Sequence, residues 1–302
     1  MSVAAVKGRQ DKALIGIALM LVAFLTFSFI DTGAKWLGAA GLSAMQLSFM
    51  RYLPHFMIST VLVNKDGMDF NKFRSQYFWL LLLRGLMLMG STVFNFFAVG
   101  YLPLTLTSTI LFSSPIIICF LSWPLLGERV GIYRWSAIMI GFAGVMIAIR
   151  PFDDSFHWAV LFSLSGAFCF ALYSILTRKL SGLVSIDIMQ FYTGAVGTFM
   201  LLPFAVYQWQ SPATPFAWGV MIMLGLFGWG GHQILTEAYR FAPASTLTPF
   251  GYSFIIYLTV WSYLVFDHLP DIWTIIGALF IVVSGLIIWL REIQRARTLS
   301  QG

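Results

Sequence analysis

Ten apolar runs of about twenty residues follow one another along this chain, and no other feature limits its fold as tightly. Bounded by charges, proline or glycine, they cover 13–37, 43–63, 77–101, 104–125 and 131–149 in the first half. In the second half they cover 157–178, 186–209, 217–240, 245–265 and 272–290. Runs of this length fit the hydrocarbon thickness of a bilayer as helices, whereas barrel strands need only about ten alternating residues. Hydrocarbon offers the backbone no partners, so each segment must bond itself, as a helix does. Composition agrees. With 59% hydrophobic and 10% charged residues, the 302-residue chain has too few charges to coat a water-soluble globule, which carries about 25%. The expectation is an all-α integral membrane protein of ten transmembrane helices, with no length left for a soluble domain.

Basic residues set the expected orientation. Lys7, Arg9, Lys12, Lys65, Lys72, Arg74, Arg129, Arg134, Arg178, Lys179, Arg240, Arg291, Arg295 and Arg297 fall on the side of the amino terminus, against Lys35 and Arg150 on the other. By the positive-inside rule both termini are expected in the cytoplasm of a bacterium, with the bundle in its inner membrane. The net charge of +6 therefore reflects topology. Nucleic-acid binding is not expected, because the basic residues do not gather on one face with interleaved aromatics. Cys119 and Cys169 lie inside apolar runs, so neither a disulfide nor a metal site is expected.

The chain also reads as two copies of one unit. Leu102-Pro103-Leu104-Thr105-Leu106-Thr107 resembles Ala242-Pro243-Ala244-Ser245-Thr246-Leu247 at an offset of 140, and Gly85, Gly90 and Ala98 fall on Gly225, Gly230 and Ala238. Gly144 and Arg150 fall on Gly285 and Arg291 at 141, and Lys35, Met45 and Gln46 on Lys179, Met189 and Gln190 at 144. Each unit, 1–150 and 151–302, holds five spans. Five is odd, so the second copy enters the membrane from the opposite side, and the repeats are inverted. Such halves underlie alternating access in many transporters.

Ten spans in two halves, Leu102-Pro103 opening the fourth, Leu126-Gly127-Glu128-Arg129 closing it, and Gly141 and Gly144 in the fifth together resemble the drug/metabolite transporter superfamily, EamA type. Phe266-Asp267-His268 departs from the Gly-Glu-Arg often found in the family at that place, while Gly277 and Gly285 keep the spacing after it. The general pattern and aromatic content are similar to YddG-like aromatic amino acid exporters. The resemblance implies export of small metabolites through a central cavity lined by spans 1, 3, 4, 6, 8 and 9.

Polar residues inside spans are costly and should face a cavity or a partner. The eighth span is the richest in them. Gly225, Trp229, His232, Thr236 and Tyr239 form one helical stripe, and Gly230, Gln233, Glu237 and Arg240 the adjacent one. Its counterpart, the third span, carries Ser91, Thr92 and Asn95. The fourth and ninth spans are interrupted in comparable places, at Ser113-Ser114-Pro115 and at Pro249-Phe250-Gly251-Tyr252, where freed carbonyls could hold an ammonium group. Candidate substrate-binding residues are thus Asn95, Ser114, Trp229, His232, Gln233 and Tyr252, with Glu237, Asp31 and Lys35 as coupling or gating groups. Asp31 and Lys35, four residues apart with the acid first, suggest an ion pair. Arg51 and His55 flank Pro54, and Arg51 needs a carboxylate or carbonyls that the sequence does not name.

No phosphate-binding loop, ATPase subunit or cofactor is implied, and no protease motif occurs, so an enzyme is not expected. The leading expectation is a secondary transporter that exports amino acids, aromatic and other neutral ones. Export of drug-like aromatic cations, and a membrane scaffold that moves nothing, are the alternatives.

Overall fold

A computed structural model describes residues 3–65, 75–126, 132–150, 156–180, 183–241 and 247–299. Gly127-Glu128-Arg129 and the stretch Ala242–Thr246 lie outside the described residues, as do the side chains of Thr236, Tyr239 and Arg240. The helices are α1 (Val3–Ala39), α2 (Ala44–Val63), α3 (Phe78–Tyr101), α4 (Leu104–Leu111), α5 (Ser114–Leu126) and α6 (Ile132–Ile149). The second half forms α7 (Val160–Leu180), α8 (Ile186–Tyr207), α9 (Pro215–Phe241), a 3₁₀ turn η1 (Thr248–Tyr252), α10 (Ser253–Phe266) and α11 (Ile272–Leu299). Counting α4 with α5 and η1 with α10 as single interrupted spans gives the ten crossings. Residues 14–39 of α1, α3, residues 160–177 of α7, and α8 are each long and apolar enough to cross a bilayer alone.

Local chemistry places the breaks. Ser43 and Ser185 cap α2 and α8, their hydroxyls accepting from Gln46 N and Ile188 N. Pro115 has no N–H for the carbonyl four residues back. The Ser114 hydroxyl donates to that carbonyl, Leu111 O, instead, at the point where α4 gives way to α5. Asp267 ends α10 in the left-handed conformation at φ 50°, and His268 N bonds back to Ser262 O at 3.0 Å. The aspartate thus fills a position usually held by glycine.

Packing follows the internal repeat. The most extensive contacts join α2 to α8 and α6 to α11, each a helix with its own counterpart, and α1 to α9 and α3 to α7, which exchange under the same two-fold. The halves are therefore interleaved. Close approach rests on small residues: a Cβ on Gly225 would meet Met50 O at 2.7 Å, beside Pro54, where α2 lacks a hydrogen bond. The caps Ser43 and Ser185 set the offset there at 142, two residues short of the register suggested by Lys35 and Lys179. One pair breaks the symmetry. Helix α1 packs on α3, but α7 and α9 form no comparable seam among the described residues.

Candidate functional site

Charged and amide side chains from three spans meet in the half of the membrane away from the termini. Asp31 of α1 is buried, and Asn95 Nδ2 of α3 donates to its Oδ1 at 3.0 Å. Arg51 of α2 donates through Nη1 to Thr92 Oγ1, and its Cζ lies 5.7 Å from the Tyr52 ring centroid. Thr92 Oγ1 is shared with the Tyr52 hydroxyl at 2.8 Å and itself donates to Leu88 O. Arg51 and Asp31 are not hydrogen-bonded to one another. Arg51 therefore has one hydrogen-bonded partner among the described residues, for five N–H donors.

The expected Asp31–Lys35 ion pair does not form. Lys35 Nζ instead donates to Val99 O at 2.8 Å and Leu102 O at 2.6 Å, over the Phe266 ring at 5.5 Å. The four-residue spacing did put both groups on one face, but that face meets α3, whose polar acceptors are better placed than the neighbouring turn of α1.

Rings form the adjoining wall. His232 of α9 is buried, 5.0 Å from Phe27 and 6.5 Å from His55 between ring centroids. Gly231 allows this, since a Cβ there would press into Phe27. Trp229 is half-buried, and its indole N–H has no hydrogen-bond partner among the described residues. Gln233 and Glu237 are half-buried on the same helix, Glu237 nearer the terminal face. Tyr252 sits in η1 with its ring 5.3 Å from Phe112 and its hydroxyl against Gly285. Phe24, Phe112 and Phe254 complete that aromatic group where the two interrupted spans meet. Ser114 lies at the interruption of its span, its hydroxyl held by Leu111 O.

A second arginine is placed differently. Arg84 of α3, 3% exposed, donates to Thr177 Oγ1, Met189 O, Thr193 Oγ1 and the Tyr173 hydroxyl at 2.6 to 3.0 Å, clamping α3 to α7 and α8. At the face away from the termini, a cavity of about 270 Å³ is lined by Leu102, Pro103, Arg150, His157, His268 and Asp271. There Arg150 Nη2 pairs with Asp271 Oδ2 at 2.6 Å. Burial works against ionisation of Asp271, but hydrogen bonds from Thr274 and the charges of Arg150 and His268 outweigh it and hold the carboxyl below its ordinary value.

The chain matches the EamA-like transporter family over residues 14–150 and 157–290. It belongs to that family. Among similar proteins, the S-adenosylmethionine uptake transporter of Rickettsia bellii is 26% identical over 278 residues, covering 92% of this chain and 94% of that one. The riboflavin transporter of Vibrio cholerae is 28% identical over 283 residues, covering 93% and 95%. The pseudopaline exporter CntI of Pseudomonas aeruginosa is 28% identical over 271 residues, covering 89% and 94%. A solved protein structure superposes with a TM-score of 0.63 at 14% identity, over 94% of this chain and 98% of that one, a likeness of fold. The protein is a multi-pass membrane transporter of small molecules and not an enzyme. Membership also removes the scaffold alternative.

The grouping of Arg51 with Thr92 and Tyr52, and the clamp around Arg84, escaped the sequence reading. The polarity of each residue was visible, but which helices adjoin was not.

Proposed function

We propose that this transporter carries small zwitterionic metabolites, neutral and aromatic amino acids foremost, out of the cytoplasm by alternating access of its halves 1–150 and 151–302. Asn95, Trp229 and His232, with Asp31 and Arg51, contact the substrate. Gln233, Ser114 and Tyr252 line the path toward the interrupted spans, and Glu237 serves the terminal end. The observation that carries this reading is a guanidinium with donors to spare, one helix away from a carboxyl group, beside a wall of rings. A carboxylate suits the planar fork of Arg51, an ammonium suits Asp31, and an apolar side chain suits Phe27, His232 and Trp229. S-adenosylmethionine, named for the Rickettsia relatives, likewise joins an amino-acid group to an aromatic base. The relatives include both uptake and export proteins, so export here rests on the resemblance to YddG-like exporters. Aromatic cations fit less well, because Arg51 and Lys35 offset Asp31.

The test is counterflow of labelled phenylalanine, threonine and methylviologen in proteoliposomes holding only this protein, with and without a pH gradient. Saturable amino acid flux is the expected result. Flux of the dication alone would overturn the reading.

A further inference from the structure

Helix α3 ends two residues before a proline. The carbonyl of Val99 would be bonded by the N–H four residues on, but that residue is Pro103, which has none. The vacancy lies inside the bundle, where water cannot fill it cheaply. Lys35 fills it from α1, reaching Val99 O at 2.8 Å and Leu102 O at 2.6 Å, with Phe266 of α10 across its ammonium.

One turn away on both helices, Asn95 donates to Asp31. Residues 31 and 35 of α1 thus face 95 and 99 of the parallel α3 as two rungs of one seam. The rungs differ in kind. Asp31–Asn95 belongs to the candidate site, where a substrate can compete for either group. Lys35 lies beyond it, toward the face away from the termini, and closes α1 over α3 and the end of α10. The repeat-related helices α7 and α9 form no such seam at the opposite end among the described residues. An opening of the face away from the termini between these helices has to separate α1 from α3 there.

We propose that Lys35 is a positioning residue for transport, the latch that holds shut the face away from the termini, and that it works by occupying two carbonyls at the end of α3, that of Val99, which Pro103 leaves unbonded, and that of Leu102. This rests on the alternating-access reading above but not on the identity of the cargo. A substrate that takes Asp31 from Asn95 loosens the inner rung, and the outer rung then decides whether that face opens.

The test places a reporter beneath the latch. Val99 is fully buried. Val99→Cys is made with Cys119 and Cys169 replaced by serine, and the protein is reconstituted in one known orientation. A membrane-impermeant maleimide is then applied from either face. With Lys35 present, labelling from the face away from the termini is slow. Lys35→Met is expected to speed it on the order of tenfold, the shift that loss of charge-assisted hydrogen bonds produces in a two-state equilibrium. Labelling from the terminal face does not rise. Lys35→Arg, which can donate to both carbonyls, restores protection. Size-exclusion and thermal unfolding profiles are followed in parallel, and the Lys35→Met protein stays monodisperse and folded at the labelling temperature, with a lowered unfolding temperature.

Unchanged labelling in Lys35→Met, or labelling that rises equally from both faces, overturns the latch. If no amino acid flux occurs but labelling responds as described, the cargo assignment fails and the latch stands. If flux occurs and labelling does not respond, the reverse holds.

Discussion

Arg51 and Arg84 are both arginines within membrane spans, and the bundle treats them oppositely. Arg84 is ringed by three hydroxyls and a carbonyl from α7 and α8, so four of its five donors are taken. Arg51 gives one hydrogen bond, to Thr92, and borders the seam between α1 and α3. A guanidinium in hydrocarbon is tolerated only when its donors are met. At Arg84 the protein meets them. At Arg51 they are left in large part for something that arrives. The contrast separates a structural cation from a binding one without reference to sequence position, since both residues lie one to two turns inside their helices.

The largest effect should come from the saturated arginine. Arg84→Met removes a charged donor set from four partners, and each charge-assisted bond is worth about 1.5 to 3 kcal/mol. A loss of roughly 3 kcal/mol or more in stability is expected, read as a large fall in the unfolding temperature in detergent. Arg84→Lys should recover only a fraction, because a point ammonium cannot span the same acceptors. If Arg84→Met unfolds at the wild-type temperature, the distinction between the two arginines collapses.

The unsaturated arginine should behave the other way. Arg51→Gln is expected to lower amino acid flux by about tenfold or more, equivalent to at least 1.4 kcal/mol of lost substrate or transition-state binding. Its unfolding temperature should stay near that of the parent. Asp31→Asn should reduce flux of zwitterions to a similar extent while sparing acids that lack the ammonium group. A smaller change, about threefold, is expected for Trp229→Phe, which keeps the apolar wall and removes the buried N–H, and the sign of that change shows whether the cargo uses that donor.

The smallest effect concerns the distant ion pair. Asp271 is held below its ordinary value of 3.8, so the folded protein favours its ionised form. Its contribution to stability is complete above about pH 4 and fades as pH falls through the depressed value. The pair is partly exposed, so the contribution is modest. Unfolding temperatures of the parent and Asp271→Asn should therefore differ slightly at neutral pH and converge in acid. A gap that widens on acidification would reverse the sign of this assignment.

Much of the fold was legible because membrane helices announce themselves by length and charge. The runs 43–63 and 186–209 emerge as α2 and α8 within two residues at each end, and the interruptions near Ser113 and Pro249 fall where proline withholds an N–H. The candidate site was legible in kind but not in arrangement. Asp31 and Lys35 share a face, as their spacing required. The partners they take on α3, Asn95 and the Val99 carbonyl, depend on which helices adjoin, and no pattern local to α1 carries that. Lys35 is the clearest case, since its acceptors lie at the helix end beside Pro103, 68 residues later in the chain.

The most direct measurement compares phenylalanine with phenylalaninamide, which keeps the ring and the ammonium and lacks the carboxylate, as counterflow substrates for the parent and Arg51→Gln. The parent should prefer phenylalanine by at least about tenfold, and the variant should lose that preference by losing phenylalanine flux alone. If Arg51→Gln lowers both fluxes equally, or if the parent does not discriminate, Arg51 does not receive the substrate carboxylate and the functional contrast between the two arginines is wrong.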